Sequence, residues 1–198
     1  MKVIGITGGM GSGKTKVLGF FLDNGITCYN SDEEAKRIMN TNPKVIEELK
    51  STFGNQTYNK GSLNKVFLSK IVFNDLRKLK LLNKIIHPLV QDDFRNFKSL
   101  NKSKLIIIES ALMFETGIYK DMDYIILITA PETIRINRIM KRDKLSSNNI
   151  KLRMNSQWED NKKIILADFV IENISWDNTV LELKSLLNDV KSRYKIID

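Results

Sequence analysis

Gly8-Gly9-Met10-Gly11-Ser12-Gly13-Lys14-Thr15 fits the pattern glycine, four free positions, glycine, lysine, then serine or threonine, which is the signature of a P-loop. Its flanks are the ones the signature needs. Lys2-Val3-Ile4-Gly5-Ile6-Thr7 reads as a short buried strand feeding the loop, and Lys14 to Asn24, with Val17, Leu18, Phe21 and Leu22 on one face, reads as the helix leaving it. The plainer alternative is a glycine-rich turn that only joins strand to helix. Glycines let successive amide N–H groups turn inward around an anion, and the first turn of the helix adds unsatisfied N–H groups and the positive end of its dipole. Phosphate is the natural guest of such a cradle. Lys14 then reaches the β- and γ-phosphates of a nucleoside triphosphate, and the Thr15 hydroxyl is a ligand of Mg²⁺.

Downstream, Gly25 suits a helix C-cap and Ile26 to Tyr29 reads as a second strand. Asn30-Ser31-Asp32 closes it. Asp32 has two readings: a cap for a helix from Glu33 to Asn40, or a carboxylate beyond a parallel strand end, where ligands of open sheets sit, that takes the proton of an attacking hydroxyl. From Pro43 to about Asn101 the apolar spacing is helical, broken by a polar loop from Gly54 to Ser62 and showing no strand. That predicts a helical insertion beside the sheet. His87, the single histidine, precedes Pro88, which predicts a helix break there. A lone histidine is more often a structural hydrogen-bonding residue than a catalyst.

Lys104 to Glu109 is an apolar run ending in an acid, the pattern of a central parallel strand. Glu109 stands where a Walker-B-type carboxylate holds Mg²⁺ or its waters. Ser110 to Glu115 is an apolar loop able to shape a pocket. Tyr124 to Thr129 and Phe169 to Ile171 read as further strands, with helices from Glu132, after Pro131, to Lys141 and from Trp176 to Tyr194. Strands and helices alternate at both ends of the chain, so an α/β fold with a parallel sheet follows. Between the last strands lies a stretch rich in bases, with Arg138, Arg142, Arg153, Lys162 and Lys163. It is either a solvated helix pair or a lid whose arginines fold over a triphosphate.

A chain of 198 residues holds one α/β domain with a modest insertion. The net charge of +9 invites a nucleic-acid partner, but the lysines are dispersed and no basic arm exists, so nucleic acid is not expected. Cys28 is the only cysteine, which excludes an intrachain disulfide and fits a reducing compartment. With no apolar run of membrane-spanning length, a soluble cytoplasmic protein is expected, with no membrane partner. A monomer is expected, an oligomer remaining open.

Several spaced segments together resemble the dephospho-coenzyme A kinase family. Gly5 to Thr15 is close to the family's opening; Asn30-Ser31-Asp32 with Ala35 and Arg37 resembles its Asp-Ala-Asp segment; His87-Pro88 matches its His-Pro pair; Leu112-Met113-Phe114-Glu115 resembles its Leu-Leu-Phe-Glu stretch. Arg138, Arg142-Asp143, Arg153, Gln157 and Ala167 to Ile171 with Asn173 follow its lid and closing strand. The resemblance implies a P-loop nucleoside-triphosphate-hydrolase fold of nucleoside-monophosphate-kinase type: a five-stranded parallel core (1–32, 102–140 and 165–198), a helical CoA-binding region (33–101) and a lid (141–164). It implies transfer of the ATP γ-phosphate to the ribose 3′-hydroxyl of dephospho-CoA, with ATP and Mg²⁺ required. ATP would lie against Gly9, Gly11, Ser12, Gly13, Lys14, Thr15 and Lys16, with Asn173 by the adenine. Asp32 would be the base, Lys14, Arg138 and Arg142 would stabilise the phosphoryl charge, and Thr15 and Glu109 would serve the metal. His87, Phe114 and Glu115 would face dephospho-CoA. The chain departs from the family's usual residues at Asn30, Glu109 and Ala111, where Asp, Asp and Pro are usual, and at Lys16. Asn30 cannot act as a base, and Glu109 extends its carboxylate by one methylene, which favours metal contact through water. The nearest rival is a small P-loop kinase for a nucleoside, nucleotide or sugar acid. A GTP-dependent switch needs an Asn-Lys-x-Asp motif; Asn101-Lys102-Ser103-Lys104 lacks the aspartate.

Overall fold

In the computed structural model, which describes residues 1–144 and 146–195, five strands run parallel. They are β1 (Lys2–Thr7), β2 (Thr27–Asn30), β5 (Leu105–Glu109), β6 (Tyr124–Thr129) and β7 (Phe169–Glu172), in the order β2-β5-β1-β6-β7. β1 is therefore the middle strand, and the 105–109 strand lies beside it, paired in parallel on both edges and fully buried, the interior position that its unbroken apolar run predicts. Both are buried on both of their faces, which is why each reads as a nearly continuous apolar run rather than an alternating one. Residue 145 of the expected lid and residues 196–198 of the expected core lie outside the described residues.

The chain divides into two compact units. One comprises Met1–Asn30 and the chain from Asn101 onward, the other Ser31–Leu100. In the sheet unit, Ile4, Ile6, Ile107, Ile126, Ile128 and Ile171 pack against Val17, Phe20 and Phe21 of α1 (Lys14–Asp23) and Leu183, Leu186 and Leu187 of α9 (Trp176–Arg193). Each fully buried side chain of this size stabilises by roughly 1.5–3 kcal/mol. Between β6 and β7 come α6 (Glu132–Asp143), α7 (Ser147–Met154) and α8 (Asp160–Ile164), and Ile139 and Ile150 anchor the first two as buried residues.

The second unit contains α2 (Ser31–Thr41), α3 (Pro43–Phe53), α4 (Lys65–Phe73) and α5 (Leu76–Leu100). It departs from the sequence reading twice. The polar loop holds a small antiparallel hairpin, β3 (Tyr58–Asn59) and β4 (Ser62–Leu63), turned by Lys60 and Gly61, both at positive φ. Tyr58 donates to the Met39 carbonyl at 2.6 Å and Asn40 Oδ1 accepts from the Leu63 N–H at 3.0 Å, which ties the hairpin to α2. Pro88, expected to break the helix, lies inside α5. Buried Ile86, Val90 and Phe94 on either side give the packing that offsets the missing N–H.

Candidate active site

The P-loop lies between β1 and α1, at the C-terminal edge of the sheet, where Ile6 and Asn30 both sit in register with Glu109. Gly13 ends the loop at φ 101°, a left-handed conformation that favours glycine, and a methyl group there would overlap the Asn173 amide. Asn173, only 3% exposed, donates through Nδ2 to the Ser12 carbonyl at 2.7 Å and accepts from the Thr179 hydroxyl at 3.1 Å. Arg138 works on the same carbonyl: Nη1 donates to Ser12 O at 3.3 Å and Nη2 to Asn173 O at 2.9 Å. Both residues therefore brace the loop, Arg138 from α6 and Asn173 from the end of β7. Lys16, just past the loop, lies 4.0 Å from the Trp176 ring centre in a cation–π contact.

Lys14 is buried and donates to the Gly9 carbonyl at 3.3 Å, so its ammonium lies within the loop's own curl. Beside it the Thr15 hydroxyl donates to Glu109 Oε2 at 3.3 Å, and Glu109 is 1% exposed. A hydroxyl and a buried carboxylate are the hard oxygen donors that Mg²⁺ prefers. Among the described residues no cluster of three or more His, Cys, Asp or Glu side chains could hold a metal by itself. The Thr15 and Glu109 oxygens nonetheless fit the metal.

The segment after α7 closes against the loop. Gln157 Oε1 accepts from the Met10 N–H at 2.8 Å while its Nε2 donates to the Ala111 carbonyl at 3.2 Å. Glu115 accepts from the Trp158 N–H at 2.7 Å and pairs at 3.5 Å with Lys163, whose side chain is fully buried. Lys163, read from sequence as part of a charged stretch, is thus an interior cation. Phe114 is 2% exposed and packs on Tyr119 with ring centres 5.4 Å apart. Arg142 is exposed and forks onto Asp143 at 2.7 and 2.9 Å, which holds the Asp143 carboxyl below its ordinary value.

Breaking the buried pair at one end leaves an uncompensated charge, so Lys163→Ala is expected to lower unfolding stability by about 3 kcal/mol. Adding Glu115→Gln, which keeps an acceptor for Trp158, is expected to restore most of that loss in urea denaturation.

Asp32 and His87 belong to the other unit. Asp32 lies inside the first turn of α2, which begins at Ser31, rather than ahead of a helix as a cap, together with Glu33 and Glu34. His87 is half-buried on α5, and its Nε2 is buried without a hydrogen-bond partner. Burial lowers its pKa, and the Asp32 carboxylate opposes that shift. A lowered native pKa means the unfolded chain binds the proton first, so stability falls as pH drops below the ordinary imidazole value near 6.5. Denaturant midpoints measured between pH 7.5 and 5 are expected to fall by an amount that His87→Gln removes.

Two features of the site escaped the sequence reading. Arg135 lies one turn ahead of the basic stretch and against Gly9, with no motif to mark it. Gln157 was visible only as a spaced match, and its bond to the Met10 amide had no local signal.

Residues 2–178 match the family described as dephospho-CoA kinase. A dephospho-CoA kinase from Bacteroides fragilis is 38% identical over 171 residues, covering 86% of this chain and 83% of that protein. A crystal structure from Thermus thermophilus superimposes with a TM-score of 0.81 at 29% identity, covering 100% of this chain and 98% of the other. Dephospho-CoA kinase from Campylobacter jejuni superimposes at 0.70 with 27% identity, covering 97% and 98%. The fold is that of the P-loop kinases of nucleoside-monophosphate-kinase type. With the match spanning nearly the whole sheet unit and helical unit alike, the chain belongs to the dephospho-CoA kinase family and is a kinase, a phosphotransferase with an alcohol group as acceptor.

Proposed function

We propose that the protein transfers the γ-phosphate of ATP to the ribose 3′-hydroxyl of dephospho-CoA. The observation that carries the donor half is the Lys14, Thr15 and Glu109 group at one strand edge; family membership carries the acceptor. The amides of Gly9 to Lys16 and the Lys14 ammonium hold the triphosphate, and Lys16 with Asn173 borders the nucleoside end. Mg²⁺ would be held by Thr15 and, through water, by Glu109, and when bound it neutralises charge on the phosphate oxygens.

Asp32 is the base. It takes the 3′-hydroxyl proton as that oxygen bonds to the γ-phosphorus and the bond to the bridging oxygen of ADP breaks. Lys14 and Arg142 offset the charge on the moving phosphoryl group, Arg142 after leaving Asp143, while Arg138 acts next to the phosphates through its grip on Ser12. His87, Phe114 and Glu115 belong to the acceptor side. Residues 141–164 form the lid, residues 33–101 the acceptor region, and the remainder the core. The protein works in the cytoplasm as a monomer on small molecules, without nucleic acid or membrane; among the described residues no helix is long and apolar enough to cross a membrane. Phosphorus NMR of the product tests the regiochemistry: a new monoester on the ribose 3′ position is expected, and a phosphate on any other oxygen would overturn the assignment.

A further inference from the structure

The Gly9–Met10 end of the P-loop is crowded by side chains, two of them from outside the loop. Gln157 takes the Met10 N–H, and Lys14 reaches the Gly9 carbonyl. On the third side lies the guanidinium of Arg135, close enough that a methyl group on Gly9 would overlap its Nη1. The loop's glycine at this position thus admits a cation.

Arg135 is poorly used for what it costs to place there. Its side chain is 14% exposed, and its Nε is buried with no hydrogen-bond partner. Its Nη2 lies 3.4 Å from Asp160 Oδ2, an ion pair well beyond the length of a charge-assisted hydrogen bond, roughly 2.7–2.9 Å. A guanidinium offers five donors in a planar fork that matches phosphate oxygens in pairs, so most of this one's capacity is unspent. Asp160 itself comes from α8, and its Oδ1 would stand 3.4 Å from the same methyl position on Gly9. A cleft of about 630 Å³ opens beside the pair, lined among others by Arg135, Lys151, Gln157, Trp158, Asp160 and Lys162. It gives the guanidinium room to turn.

From this geometry we infer that Arg135 is a further phosphate-binding residue, selective for the terminal phosphate of the triphosphate, and that Asp160 is the partner the phosphate displaces. The inference rests on the kinase reading. A terminal phosphate carries more charge than a carboxylate and presents more acceptor oxygens, so it outcompetes a long ion pair. Because Arg135 lies against Gly9, at the opposite end of the loop from Gly13 and Asn173, it distinguishes ATP from ADP. Arg138, which braces the Ser12 carbonyl, does not.

Calorimetric titration of the full chain with Mg²⁺ and either β,γ-imido-ATP or ADP tests this. Arg135→Gln, which keeps length but removes charge, is expected to weaken the triphosphate analogue by about tenfold or more and ADP by less than about threefold, with Arg135→Lys between. Equal weakening of both nucleotides, or of neither, would make Arg135 a packing residue and overturn the assignment. If Arg135→Gln does not fold, the ratio in Arg135→Lys decides by the same criterion. Wild-type protein that binds neither nucleotide would sink the kinase reading itself, whereas wild-type binding with an unchanged ratio in the variants sinks only this inference.

Discussion

Asp32→Asn is expected to lower kcat by about a hundredfold to ten-thousandfold, the range for loss of a general base, with the affinity for ATP unchanged. The substitution keeps the shape of the side chain but removes its negative charge and with it the capacity to take a proton. Its cost in stability is small, because an acidic residue in the first turn of a helix contributes roughly 0.3–1 kcal/mol through the helix dipole, and Glu33 and Glu34 share that turn. Single-turnover phosphoryl transfer and nucleotide titration on one preparation separate the two quantities. A modest change in kcat together with lost stability would make Asp32 a helix residue and nothing more. A second consequence follows for His87, whose pKa the Asp32 carboxylate raises against burial. Neutralising Asp32 removes that support, so the imidazole pKa is expected to fall further, which NMR titration of the single histidine reads directly.

Lys14→Ala is expected to act on both binding and chemistry. Its ammonium is buried within the loop and holds the Gly9 carbonyl at 3.3 Å, so it is placed before the nucleotide arrives and costs little reorganisation. Losing one pre-placed donor at developing charge typically costs about a hundredfold to a thousandfold in kcat. Because Lys14 pairs with phosphate in the ground state as well, KM for ATP is expected to rise along with the fall in kcat, which is the opposite pattern to Asp32→Asn. Steady-state kinetics at varied ATP separate the two variants; identical signatures would contradict the division between a donor cradle and an acceptor base.

The parts of the molecule legible in the sequence are those whose local pattern agrees with their tertiary role. β1, the loop and α1 combine an apolar run, a glycine spacing and a helical period, and each is where the pattern places it. Strands β5 and β6 are similarly plain because parallel strands buried on both faces leave continuous apolar runs. The hairpin at 58–63 was not legible. Its strands have two residues each, and its turn uses Lys60 at positive φ where asparagine or aspartate gives the usual signal. Pro88 misled for a different reason: local sterics predict a break, and the packing of Ile86, Val90 and Phe94 outweighs them.

In the site, the loop residues were legible because a phosphate cradle is made by contiguous backbone. The surroundings of the basic side chains beyond the loop were not, since charge alone does not reveal burial. Lys163 is interior and paired with Glu115, Arg138 braces backbone carbonyls, and Arg142 lies on the surface against Asp143. Those three outcomes depend on which way each helix face turns. A stretch of mixed charge carries little information about that.

The most direct test of the whole account is kcat/KM for ATP-dependent ADP release, compared across dephospho-CoA, nucleoside monophosphates, nucleosides and sugar acids. A site that hydrogen-bonds one acceptor should reject the others by about a hundredfold or more, with dephospho-CoA preferred. Equal or faster turnover of a nucleoside monophosphate, or none with dephospho-CoA, would contradict it.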